Sequence, residues 1–173
     1  MLAYKLKAKK NSNLNHLDMK QVDNIIQYLA KPQRNGEVEL VLGGDQGVKM
    51  IGTVDTSYAP DGEDFKSIIS ATLHMASSTG SMLSMCARQT ICVDSSMSTE
   101  GIECHLLMRR ILPLRYLFKE PGFVQPHPTL IYVDNVPFMN SVVGDKGACV
   151  KFKHSMIRLK FINEAYTNGD IDF

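Results

Sequence analysis

The stretch Met50-Ile51-Gly52-Thr53-Val54-Asp55-Thr56-Ser57-Tyr58-Ala59 sets one acidic side chain in an otherwise apolar and β-branched run, and Pro60-Asp61-Gly62 follows it as a turn. Such a run predicts a strand entering a core. A carboxylate on that strand is costly to desolvate unless a cation or hydrogen bonds compensate it, so Asp55 needs a chemical reason. Two more carboxylates stand in comparable settings: Glu100 at the start of an amphipathic stretch, and Asp134 at the end of the apolar run Thr129-Leu130-Ile131-Tyr132-Val133. If the two runs lie side by side in one sheet and the helix packs across it, all three acids can converge on divalent metal.

At 173 residues and 44% hydrophobic, the chain can bury the core of one compact domain with a short extension. A formal net charge of +1 excludes a global basic field, so any nucleic-acid partner has to be met by a local patch. The cysteines (Cys86, Cys92, Cys104, Cys149) show no CxxC spacing and no secretory signal precedes them. They are expected to be reduced, intracellular thiols packed in the core rather than disulfides or zinc ligands. No apolar run reaches the length of a membrane span, and the basic start Lys5 to Lys10 lacks the apolar segment of a signal peptide. A soluble protein with no membrane partner is expected.

Residues 1–48 are expected to form an N-terminal extension. A polar lead-in reaches about Asn15, and a helix with Leu17, Val22, Ile25, Ile26 and Leu29 inward stops near Pro32 and Asn35-Gly36. The alternating strand Glu37–Leu42 and a turn over Gly43–Gly47 complete it. Residues 49–173 are expected to form the main domain. The Asp55 strand, Ile68–Met75 and Met82–Gln89 make a three-strand antiparallel meander. Ser95–Thr99 supply capping hydroxyls for a helix bearing Glu100, Cys104, Leu107 and Ile111 on one stripe, with Pro113 expected to kink or end it. Glu103, one turn after Glu100, is the competing acid. Beyond a proline-rich loop, Thr129–Val133 reads as a parallel strand buried on both faces. A short helix over Pro137–Val143 and a Gly144–Gly147 loop follow. A helix over Lys153–Tyr166 turns Met156, Ile157, Leu159, Phe161 and Ala165 inward, and a strand begins near Asp170. The fold class is α/β: a mixed sheet, meander plus parallel strands, with helices packed on it.

Several motifs in this order resemble one family. Gly52-Thr53-Val54-Asp55-Thr56-Ser57-Tyr58-Ala59 with Lys66-Ser67-Ile68-Ile69-Ser70 is similar to the aspartate strand and the Lys-Ser strand of the ribonuclease H domain in copia-type retrotransposon polyproteins. Ser98-Thr99-Glu100 resembles its Ser-Thr-Glu helix start, Ile131-Tyr132-Val133-Asp134-Asn135 its Asp-Asn strand end, and Lys153-His154 with Ile157-Arg158 its Lys-His-Ile helix. The segment from His16-Leu17 to Tyr28-Leu29 resembles the link from reverse transcriptase to ribonuclease H. The likeness spans about His16 to Phe173. Ser57 stands where the family often has a second Asp, Gly101-Ile102-Glu103 replaces its Ala-Glu-Tyr, and two extra residues lie between Gln89 and Glu100. The chain reaches Phe173 before the family's fourth metal-binding aspartate, so the domain is expected to be C-terminally incomplete; neither Asp170 nor Asp172 occupies the matching motif.

The resemblance implies a ribonuclease H-like sheet and a module of a retrotransposon polyprotein, cytoplasmic in a virus-like particle or nuclear. It would hydrolyse the RNA strand of RNA–DNA hybrids beside its reverse transcriptase portion. It also implies two Mg²⁺ ions about 4 Å apart, with Mn²⁺ as a substitute, held by Asp55, Glu100 and Asp134. Hybrid would be read by backbone shape and the 2′-hydroxyl. Lys66, Arg88, Asn135, Lys151, Lys153, His154 and Arg158 are candidate substrate contacts; the cations read equally well as surface charges, and His154 as structural or as an aid to proton transfer. Asp134 reads alternatively as a turn cap. Two other functions stay open: a non-catalytic ribonuclease H-like module that binds hybrid or packs on a polymerase, and an unrelated α/β binding domain.

Overall fold

Alternation of apolar and small polar residues makes Met50–Ser57 the strand β1, with Met50, Gly52 and Val54 buried and Asp55 exposed. The computed structural model describes residues 49–58, 66–76, 80–93, 95–144 and 153–173, together with Lys20, Asp23, Asn24 and Gln27; for 153–155 it describes the backbone alone. The chain divides into two compact units, Met1–Leu40 and Val41–Phe173. In the first, Lys20, Asp23, Asn24 and Gln27 are helical and exposed, on positions between the apolar ones of the expected helix. The expected strand over 37–42, the Pro60 turn and Lys151 lie outside the described residues.

In the second unit, β2 (Ile68–Met75) and β3 (Ser81–Arg88) follow β1 as the expected antiparallel meander. A long helix α1 (Ser96–Lys119) then crosses to β4 (Thr129–Tyr132), and α2 (Val136–Val143) and α3 (Lys153–Thr167) lead to β5 (Ile171–Asp172). The sheet order is β3-β2-β1-β4-β5, with β1/β4 and β4/β5 parallel. This is the α/β mixed sheet the sequence predicts. β1 is followed on one side by β2 and β3, and the chain returns on the other side with β4, so the order reverses between β1 and β4. Ligand sites in open α/β sheets form at such a reversal, beyond the carboxyl ends of the parallel strands.

One core holds the helices to the sheet. Met50 and Val54 of β1, Ala71 and Leu73 of β2, Ile131 of β4 and Ile171 of β5 share it with Leu107, Met108 and Ile111 of α1, Phe138 and Val142 of α2, and Ile162 and Ala165 of α3. Gly52 sets the distance between α1 and the sheet: a Cβ added there would lie 2.9 Å from Leu107 Cδ2 and 3.5 Å from Ile131 Cγ1.

Three local expectations are corrected. Pro113 does not end α1, which continues to Lys119. Pro113 and Arg109, four residues earlier, are both exposed, so the carbonyl that loses its helical donor can turn to water. Strand β4 is not buried on both faces, because Tyr132 is 56% exposed and only Thr129 and Ile131 are fully covered. In α3, Met156 and Ile157 face outward, while Leu159, Phe161 and Ala165 pack inward as expected together with Ile162 and Tyr166, a phase set by packing on α1 and β5.

Gly52→Val should lower stability by about 2–3 kcal/mol, the cost of overpacking a full core, and Gly52→Ala by less. Urea unfolding followed by circular dichroism reads both, with an unchanged denaturant slope expected.

Candidate active site

The first turn of α1 is fixed before its acids are placed. Ser95 caps the helix by accepting from the Ser98 N–H at 3.2 Å. Thr99, fully buried, donates from Oγ1 to the Ser95 carbonyl at 3.1 Å, and its hydroxyl lies 3.4 Å from that of buried Ser67, just before β2. Gln89, just after β3, donates from Nε2 to the Thr99 carbonyl at 3.4 Å and from its backbone N–H to the Ser67 carbonyl at 2.8 Å. These bonds tie the helix start to the end of the sheet where β1 finishes, since Ser57 pairs with Ile68 and Ile68 with Arg88.

Glu100 follows directly and is only 5% exposed. Its Oε1 accepts from Asn135 Nδ2 at 3.2 Å and, at 3.5 Å, from Thr56 Oγ1; its Oε2 is buried with no hydrogen-bond partner. Asn135 uses both ends of its amide: Oδ1 accepts from the Phe138 N–H at 2.9 Å and caps α2. The turn cap is therefore Asn135 and not Asp134. Asp134 is exposed one residue beyond Val133, and continuing the β1/β4 register from Thr53↔Tyr132 brings it level with Asp55.

Burial raises the Glu100 carboxyl above its usual range, and the charges of Asp134 and Asp55 raise it further, while the Asn135 and Thr56 hydrogen bonds oppose the shift. Asp55 and Asp134 thus lie within electrostatic reach of Glu100 toward one end of the sheet, with Asp55 on the face of β1 opposite Gly52, Val54 and Thr56, which meet α1. Asp55 alternates with Val54 and Thr56 along β1, so Thr56 touches Glu100 while Asp55 acts on it through space. Among the described residues no three His, Cys, Asp or Glu side chains are arranged to hold a metal ion. The donor set is nonetheless all carboxylate oxygen, as hard divalent cations prefer, and Glu100, with Oε2 buried and unpartnered, feels the like charges of Asp134 and Asp55.

Glu103 is the acid that sequence reasoning ranked second, and it is the most buried, at 1% exposed. Burial first, then the charges of Asp55 and Glu100, push its carboxyl up to about 9 against a hydrogen bond from the Ser70 backbone. Its placement was legible in its spacing, three after Glu100 and four before Leu107, which puts all three on one helix face. Thr56 and the Ser67–Gln89–Thr99 tie carried no comparable signal.

The candidate substrate residues fall into groups. Lys66 and Arg88 are half-buried near the sheet end that carries Asp55. Asn135 serves Glu100 and α2. Arg158 lies on the helix layer, where its charge and that of Arg109, after burial, lower the His105 pKa. Lys153 and His154 open α3, and their side chains lie outside the described residues. A cleft of about 280 Å³ between Arg115, Lys119, Val124 and Asp170 sits at the other end of α1, away from the acids.

Because the Glu103 carboxyl is raised in the folded chain to about 9 from 4.5, the folded state holds its proton where the unfolded state has released it. Stability therefore falls as pH rises from 4.5 toward 9. Glu103→Gln should flatten that fall, gaining on the order of 2–3 kcal/mol at pH 8, after discount for water penetration, and almost nothing near pH 4.5. Urea denaturation at the two pH values checks it.

No family model matches the chain, and comparison with curated proteins and with solved structures likewise finds no match.

Proposed function

We propose that this chain is a metal-dependent endonuclease that hydrolyses the RNA strand of RNA–DNA hybrids, as a ribonuclease H-like module of a retrotransposon polyprotein. The observation that carries the reading is Glu100: a buried carboxylate with one unpartnered oxygen, flanked by Asp55 and Asp134 at the carboxyl ends of adjacent parallel strands. A fold gains nothing in stability by keeping three acids there, so their use is chemical. The motif likeness supplies the substrate class.

In this reading Asp55, Glu100 and Asp134 would hold Mg²⁺ or Mn²⁺, which when bound supplies Lewis acidity to activate water and positive charge for the departing oxygen. The chain's own residues set the stage. Asn135 Nδ2 fixes the Glu100 carboxylate and leaves the other oxygen available. Asp55 and Asp134, both exposed, keep the rotamer freedom to close on a ligand. Lys66 and Arg88, near the same sheet end, would meet phosphate beside the site. Hybrid lying there would be read by shape and the 2′-hydroxyl.

The spacing of the acids, which form no ready-made metal trio among the described residues, favours as second reading a module that binds hybrid without cutting it. One assay separates the two. With a fluorogenic hybrid and Mg²⁺ or Mn²⁺, the nuclease reading expects cleavage, reduced about 100-fold or more by Asp134→Asn and by Asp55→Asn, with little change in melting temperature because both side chains are exposed. Hybrid binding with no cleavage by the wild-type chain establishes the module instead.

A further inference from the structure

The outer seam of α1 and α3 gathers three basic side chains and, among the described residues, no acid paired with them. A Cβ added at Gly101 of α1 would lie 4.0 Å from Leu159 Cδ2 of α3, and His105, one turn further, meets Phe161 edge-on with ring centroids 5.2 Å apart. The two contacts advance together, so the helices run side by side in the same direction. Arg109 stands four residues after His105 on α1, and Arg158 three before Phe161 on α3. Each lies one helical turn, about 5.4 Å, from the ring contact, Arg158 on its amino side and Arg109 on its carboxyl side. Arg109 is exposed, and Arg158 and His105 are half-buried. Among the described residues neither arginine side chain forms an ion pair or a hydrogen bond, and Glu164, the next acid along α3, pairs with neither.

Two guanidiniums on either side of an imidazole repel one another, and partial burial strengthens the repulsion. An oxyanion between them reverses its sign. Guanidinium presents N–H donors in a planar fork that matches phosphate oxygens, and charge-assisted bonds of this kind are stronger than neutral ones. The contact with Phe161 holds the His105 ring in the seam, where a ring N–H supplies a further donor. We propose that His105, Arg109 and Arg158 form a phosphate-binding site on the helix layer, for a phosphodiester of nucleic acid or for free phosphate. The site is separate from the acids. His105 is two residues from both Glu103 and Leu107, which are buried against the sheet, so it occupies the opposite flank of α1. It does not depend on whether those acids bind metal.

The test uses the full chain without divalent ion, so cleavage plays no part in it. The His105 imidazole is followed by nuclear magnetic resonance as inorganic phosphate is added at constant pH and ionic strength. Binding of a fluorescent RNA–DNA hybrid is measured against salt in parallel. The wild type is compared with Arg109→Gln, Arg158→Gln and Lys119→Gln, the last removing equal charge at the far end of α1. Arg109 is exposed, so its variant keeps the comparison open if Arg158→Gln fails to fold. The proposal expects phosphate to shift the His105 signal in the wild type and in Lys119→Gln, and far less in either arginine variant. Where the phosphate is that of nucleic acid, each arginine variant also lowers the log–log salt slope of hybrid binding by about one, and Lys119→Gln does not. A shifted His105 signal with hybrid binding untouched by the arginine variants assigns the site to free phosphate. A His105 signal that phosphate leaves unmoved, with arginine variants that bind hybrid as Lys119→Gln does, overturns the proposal and marks the seam as an ordinary solvated face.

Discussion

The attachment of the first turn of α1 to the sheet is the constraint on which the site depends. A long helix laid across a sheet can slide or roll unless something other than apolar packing sets its phase, because apolar contacts are non-directional. Here the phase is set by directional bonds at one end, where Thr99 meets Ser67, Gln89 and the Ser95 carbonyl, and by steric contact in the middle, where Leu107 closes on Gly52. At the far end Arg115 Nη1 donates to the His127 carbonyl at 3.0 Å and to Thr129 Oγ1 at 3.1 Å, and Arg115 Nε stands 3.7 Å from Asp170. A helix pinned at both ends and in the middle delivers Glu100 to one place.

That precision matters because the site is electrostatically unfavourable by itself. Asp55 and Asp134 are exposed to water. Glu100 and Glu103 are not, and their carboxyls are pushed toward the neutral form. Asn135 is the hinge between the two kinds of acid, since the amide that steadies Glu100 also starts α2 immediately after Asp134.

Most of this architecture was legible in the sequence. The alternation of β1 and β2, the capping hydroxyls at Ser95 to Thr99 and the apolar stripe Cys104, Leu107, Ile111 each have a local physical cause, and each element formed as expected. The misreadings share a different origin. Whether Pro113 breaks a helix depends on whether the orphaned carbonyl reaches water, and whether Tyr132, Met156 or Ile157 is covered depends on what lies opposite, neither of which a local window contains. At the site, the three acids could be picked out because acids are anomalous in apolar runs. Their surroundings could not, since Ser67, Gln89 and Thr56 are ordinary residues whose significance is their partner.

The two ends of the sheet also behave differently for a reason visible in their charge. At the amino ends of β4 and β5 a cation, Arg115, is matched by carbonyls, a hydroxyl and Asp170. At the carboxyl ends of β1 and β4, Glu100 Oε2 and Glu103 Oε2 are buried with no hydrogen-bond partner among the described residues. Unsatisfied polarity of one sign, held by a helix that cannot shift to relieve it, is stored free energy available to a ligand of the opposite sign. The rigidity of α1 is thus what turns an accumulation of acids into a site: on a helix free to roll, Glu100 and Glu103 would turn to water and the field between the strands would vanish.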